Sequence, residues 1–276
     1  MLDQIVDQAA ANGLYLSMVI SEKEDPLRLK TDPFGNPTDL DRDNFYGNGR
    51  EIQYNRYLQM AWWRYLQARW GYSTAIHSWE LLNEGDPFHG DHYALADELG
   101  KYMNCTVFGV ESESNNNCTY EHPNGHMVST SFWHSFPADE LLRNPGYPNI
   151  DYGDQHKYLP ASESAIHQDM TTAVLELSGQ IGAGSSKDIQ KPVIRGETGI
   201  VDAGTDGPIA PLRNGNNPVW LHNMLWSSLN SGGVMEAGYW YPGDHIFNDN
   251  FSILNHFESF RSFVDPIPLN LSLIHI

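Results

Sequence analysis

Basic residues and cysteines are scarce in this 276-residue chain. Its 16 Lys and Arg stand against 35 Asp and Glu, a formal charge of −19. A field of that sign repels a phosphate backbone, which excludes nucleic acid as a partner, and it repels anionic membrane surfaces equally. Long apolar runs are also missing. No stretch approaches the roughly 18 consecutive apolar residues of a membrane span, and no basic segment followed by an apolar run opens the chain, so no membrane partner is expected. The two cysteines, Cys105 and Cys118, flank a polar stretch rich in Ser, Asn and Glu. A disulfide stapling that loop is one reading and two free thiols the other; a metal site built on two thiols alone is excluded. The remaining histidines, among them His77, His89 and His92, lack a spacing that suggests zinc ligation, so no metal and no cofactor are expected.

What is present is an ordinary globular composition, 40% hydrophobic with regular Gly and Pro punctuation, in a chain long enough for one barrel-sized domain. Aromatics are plentiful, with 8 Trp and 14 Tyr. Flat rings of this kind fill cores and also stack on the apolar faces of sugars.

The pattern along the chain alternates. Leu2, Ile5, Val6, Ala9 and Ala10 keep a helical period that stops at Asn12-Gly13, where a left-handed cap is cheap. Residues 14–20 follow as a nearly continuous apolar run, the kind found in parallel strands covered on both faces. Ile52, Tyr54, Leu58, Ala61, Trp62 and Tyr65 mark a second helix, residues 75–82 a strand, and residues 93–103 a third helix. Strands are expected at 127–132, 150–156, 192–196 and 234–240. Helices are expected through Ile166 to Leu177, from an N-cap at Asn217-Pro218 to Asn230, and over 251–264. Such alternation implies a parallel α/β sheet, either doubly wound or closed as a barrel. Six strands are counted where a (β/α)8 TIM barrel needs eight. The expectation is therefore a TIM barrel over residues 1–266, truncated at its N-terminus by two strand-helix units, with residues 267–276 as a tail outside the domain.

Two segments carry chemistry. In SWELLNEGD an apolar strand runs directly into Asn83-Glu84, and in KPVIRGETG the strand Pro192-Val193-Ile194 runs through Gly196 into Glu197. In a barrel both carboxylates then emerge at the carboxyl ends of strands, the face that holds active sites. Such a pair is what glycosidic hydrolysis requires, one carboxyl protonated to donate to the leaving oxygen and one ionised to attack the anomeric carbon.

On these motifs the chain, from Leu2 to about Pro266, resembles the clan A glycoside hydrolases and is most similar to the family 5 cellulase and mannanase group. The resemblance implies Glu84, after Asn83 at the end of the fourth strand, as acid/base and Glu197, at the end of the seventh, as nucleophile. It matches His156 and Tyr158 in DQHKY to the family's His-x-Tyr pair and Trp240 in GYWY to its aromatic at the end of the eighth strand. The family's second-strand Arg has no counterpart, and Ser21, Glu22 and Lys23 stand where family 5 often has His.

The roles implied are those of a retaining double displacement. Asn83 holds the 2-hydroxyl of the sugar being cleaved, Tyr158 hydrogen-bonds Glu197, and His156 orients Glu84 or a substrate hydroxyl. Trp240 floors the subsite before the scissile bond. By its place after the strand at 127–132, and not by the resemblance, Trp133 either lines the cleft or packs beneath it. Glu22 and its charged neighbours form a solvated rim, from which Glu22 is within reach of substrate. The expected partner is a β-glycan such as β-glucan or mannan, bound by a monomer in an extracellular or periplasmic setting. A β-galactosidase, an arabinofuranosidase and a non-catalytic carbohydrate-binding protein on a degenerate barrel are the alternatives.

Overall fold

The computed structural model describes residues 1–22, 46, 52–86, 90–105, 124–132, 136–160, 191–202, 207–208, 221–223, 225–226 and 254–267. The chain divides into two compact units, Met1–Gly153 and Asp154–Ile276.

The first unit begins with helix α1, Leu2–Asn12, which buries Val6 and Ala9 and ends at Gly13 with φ 64° and ψ 32°. That left-handed cap is open to glycine at no steric cost, which is why the Asn-Gly signal marked the stop. The Asp3 carboxylate of α1 accepts from Arg69 Nε and Nη2 at 3.0 and 2.7 Å and from Trp70 Nε1 at 2.9 Å. These bonds tie α1 to the last turn of α2, Ile52–Trp70. Helix α3, Gly90–Cys105, is held to α2 by Gln67, whose amide donates to Met103 O at 2.6 Å.

The strands that alternate with these helices form a three-stranded sheet in the order β1-β2-β3, made of Leu16–Val19, Ile76–Glu80 and Met127–Ser129. Both pairings are parallel, as the alternation of helix and strand requires. Strand β1 is not covered on both faces, since Ser17 and Val19 are exposed while Leu16 and Met18 are partly buried. The apolar run at 14–20 thus reads as more enclosed than it is. The core gathers on β2 and α3, where Trp79, Leu95, Leu99 and Met103 are fully buried. Each such side chain contributes about 1.5–3 kcal/mol of apolar burial.

The strand expected at 127–132 is interrupted at Thr130, whose hydroxyl donates to Leu82 O at 3.2 Å; β4, Ser131–Phe132, follows it. A single π-helical turn, Ala138–Leu142, then buries Leu141 and Leu142.

The second unit takes in β5, Gly153–Pro160, from Asp154 on, beside β6, Val193–Asp202, and β6 pairs antiparallel with β7, Gly207–Pro208. Helix α4, Leu254–Val264, sets Phe260 and Phe263 against Trp226, with ring centroids 5.7 and 5.0 Å apart. Among the described residues the strands form parallel sheet with one antiparallel hairpin and no closed barrel. The strand expected at 234–240, the helix expected through 166–177 and the tail from 268 lie outside the described residues.

Candidate active site

Glu84 belongs to the first unit and Glu197 to the second. In the first, β2 ends at Glu80, and sheet pairing continues one residue at a time through bridges between Glu22 and Asn83 and between Gly85 and Phe132. Glu84 sits between those bridges with φ 52°, the only non-glycine positive φ among the described residues. A left-handed glutamate costs of order 1–3 kcal/mol, so the surroundings must impose it. They do so through Ser131. The Glu84 N–H donates to Ser131 Oγ at 2.9 Å, the Gly85 N–H donates to Ser131 O at 3.0 Å, and Ser131 Oγ donates onward to Glu80 Oε1 at 2.5 Å. Glu80 and Ser131 are both buried. A buried carboxylate and a hydroxyl thus fix the backbone from which the Glu84 side chain leaves.

Gly85 completes the turn by close approach. A Cβ there would stand 2.2 Å from His92 Cε1. His92 is itself fully buried, with Nε2 2.8 Å from Thr130 Oγ1. Asn83, on the other side of Glu84, donates from Nδ2 to Glu22 Oε2 at 2.8 Å. Glu22, half-buried, is therefore engaged with the asparagine expected to meet substrate, while its charged neighbours from Lys23 on lie outside the described residues.

In the second unit, period-two alternation on β5 places Asp154, His156 and Tyr158 on one face. Tyr158 Oη donates to Glu197 Oε2 at 2.5 Å, a short charge-assisted bond. His156 Nδ1 lies 3.4 Å from the same oxygen, and His156 Nε2 lies 3.8 Å from Asp154 Oδ1. The His156 side chain is 3% exposed and that of Glu197 14%. Glu197 does not end its strand as expected: β6 runs on to Asp202 because residues beyond it stay extended to pair with β7.

Asp154 was not anticipated. Its Oδ1 accepts from the Gly196 N–H at 2.8 Å. Burial pushes its pKa from 3.8 up to about 6, opposed by His156 and the Gly196 N–H and reinforced by Glu197. Arg195, two residues before Glu197, is also fully buried, and burial lowers its pKa to about 9, which leaves it charged at neutral pH. The D-x-H-x-Y spacing of 154–158 was the available signal, because alternate positions on one strand share a face. Trp133 and Trp240 lie outside the described residues, as do Cys118 and the side chain of Cys105.

No protein-family model matches the chain, and no curated protein matches its sequence. Solved structures do. A β-glucuronidase from an uncultured Clostridium species superposes with a TM-score of 0.57 at 11% identity, covering 94% of this chain and 42% of that one. A family 5 glycoside hydrolase, a mannosidase from Rhizomucor miehei, gives 0.52 at 13% identity, covering 87% and 63%. An endo-β-1,4-mannanase from Thermotoga petrophila gives 0.49 at 17% identity, covering 87% and 51%. At these identities the first two show a likeness of fold to two glycoside hydrolases, one of them of family 5, the group that the motifs resemble. The chain spans about half to two thirds of the length of the mannanase and the mannosidase.

Proposed function

We propose that the chain is part of the catalytic barrel of a retaining glycoside hydrolase, with Glu84 as acid/base and Glu197 as nucleophile. The observation that carries this reading is the bond from Tyr158 to Glu197, with His156 alongside. A nucleophilic carboxylate must stay ionised and aimed, and a phenol donor at 2.5 Å supports both requirements. Glu84 complements it as a carboxyl on a backbone held in a single, costly conformation. In the first step Glu84 protonates the leaving oxygen while Glu197 attacks the anomeric carbon; in the second Glu84 takes a proton from water, which releases the sugar. Asn83, steadied by Glu22, is assigned to the 2-hydroxyl.

The substrate read here is a neutral β-glycan of the mannan or β-glucan type. The family 5 motifs support it, the mannosidase neighbour agrees with it, and a formal charge of −19 disfavours an anionic sugar polymer. A secreted location follows from a polymeric substrate of this kind. The test uses purified protein on β-mannan, β-glucan and activated aryl glycosides. Glu197→Gln is expected to abolish hydrolysis, Glu84→Ala to be rescued by azide on an activated substrate, and NMR of the fresh product to show retained configuration. Wild-type turnover in Glu197→Gln would sink the reading, and sugar binding with no hydrolysis in the wild type would favour the carbohydrate-binding alternative.

A further inference from the structure

One buried acid in the second unit has no part in the double displacement. Asp154 is only 4% exposed, and burying a carboxyl group is unfavourable unless partners compensate. Its partners are specific. Oδ1 accepts the Gly196 N–H at 2.8 Å, and the same oxygen lies 3.8 Å from His156 Nε2. The other ring nitrogen, Nδ1, lies 3.4 Å from Glu197 Oε2. The imidazole therefore stands between two carboxyl groups, one on each edge.

Gly196, immediately before Glu197, makes this arrangement possible. A Cβ at Gly196 would come within 2.3 Å of Asp154 Oδ1 and 2.6 Å of Oδ2. The bare α-carbon admits the carboxyl group against β6 and leaves the backbone N–H open to bond it.

We propose that Asp154 is a positioning residue for the nucleophile, acting through His156: anchored on Gly196, it holds the Nε2 edge of the ring and so keeps the Nδ1 edge facing Glu197. This rests on the assignment of Glu197 as nucleophile, and Asp154 itself touches no reacting atom. An imidazolium so held offsets the repulsion between the two carboxylates on its flanks. Tyr158 shares the His156 face of β5 and bonds the same Glu197 oxygen, and the buried Arg195 precedes Glu197 by two residues on β6. The raised pKa of Asp154 agrees with a group that is buried first and compensated second.

The test is Asp154→Asn in the full chain, with Asp154→Ser as a second variant should the first fail to fold; both keep an acceptor for the Gly196 N–H and remove the charge. Long-range ¹H–¹⁵N spectra, with His156→Gln to assign the signals, read the protonation of His156 at fixed pH. The ratio of charged to neutral ring is expected to fall about tenfold in either variant, and an unchanged ratio overturns the proposal. On a glycoside that the wild type hydrolyses, kcat is expected to fall about tenfold while KM stays within about twofold, as for an interaction made in the transition state. Wild-type kcat in a folded variant overturns the proposal too. A wild type that hydrolyses no glycan counts against the glycosidase reading alone, and the NMR measurement still decides how His156 is held.

Discussion

Tyr158 and Glu197, on neighbouring strands 39 residues apart in sequence, share a 2.5 Å hydrogen bond from phenol to carboxylate. The donor aims the acid without covering both of its oxygens, since the bond uses Oε2. Hydrogen bonds to charged groups contribute about 1.5–3 kcal/mol. Tyr158→Phe keeps the ring and removes the donor, so kcat/KM is expected to fall about 10- to 100-fold with the fold intact. Steady-state kinetics beside a circular-dichroism melt check this, and unchanged kinetics would remove Tyr158 from the mechanism.

Ser131 is expected to matter more than its size suggests. Its hydroxyl accepts from the Glu84 N–H and donates to Glu80, and of these Ser131 and Glu80 are buried. Ser131→Ala strands one donor and one acceptor and is expected to cost about 1–3 kcal/mol in urea unfolding. Activity should drop as well, because the left-handed backbone of Glu84 loses its anchor. Normal stability with normal activity would mean that Glu84 holds this conformation unaided.

Gly196→Ala tests the close approach to Asp154. A methyl group 2.3 Å from a carboxylate oxygen forces a shift, and forced repacking of this kind costs about 1–3 kcal/mol. The expected result is a lower melting temperature together with reduced hydrolysis, since Glu197 is the next residue along the strand. A variant that melts like the wild type would show that Asp154 can move without cost.

Asp154 also makes a prediction about pH. Its pKa is raised from 3.8 to about 6 by burial, so between those values the folded protein holds a proton that the unfolded chain has released. Its contribution to stability is therefore fully present below about pH 3.8 and is lost as pH rises through about 6. Urea unfolding of the wild type, compared with Asp154→Asn, should show the wild type losing ground between pH 4 and 7. A difference that stays flat across that range would place the Asp154 pKa at its ordinary value.

Much of the local structure was legible in the residues alone. The left-handed stop at Gly13, the strand leading to Asn83-Glu84 and the helices around Leu58 and Leu99 all depend on near neighbours, and periodicity reports near neighbours directly. The two glutamates stood out because apolar strands run straight into them. Asp154 did not, because the strand was expected to end at His156 and its pattern was cut short, whereas β5 runs on to Pro160. Ser131 gave no signal, as a serine within a strand looks the same whether it anchors a catalytic backbone or faces solvent.

The sequence by itself determined the alternation of helix and strand, the acidic field and the identity of the two candidate carboxylates. These follow from side-chain chemistry and from hydrogen bonds between residues a few positions apart. Only the tertiary structure decided that Ser131 locks Glu84 from 47 residues away and that Asp154 stands against Gly196 across 42. The physical reason is that such contacts depend on which strands become neighbours, and that choice is made by burial of the whole sheet against its helices rather than by any local run of residues.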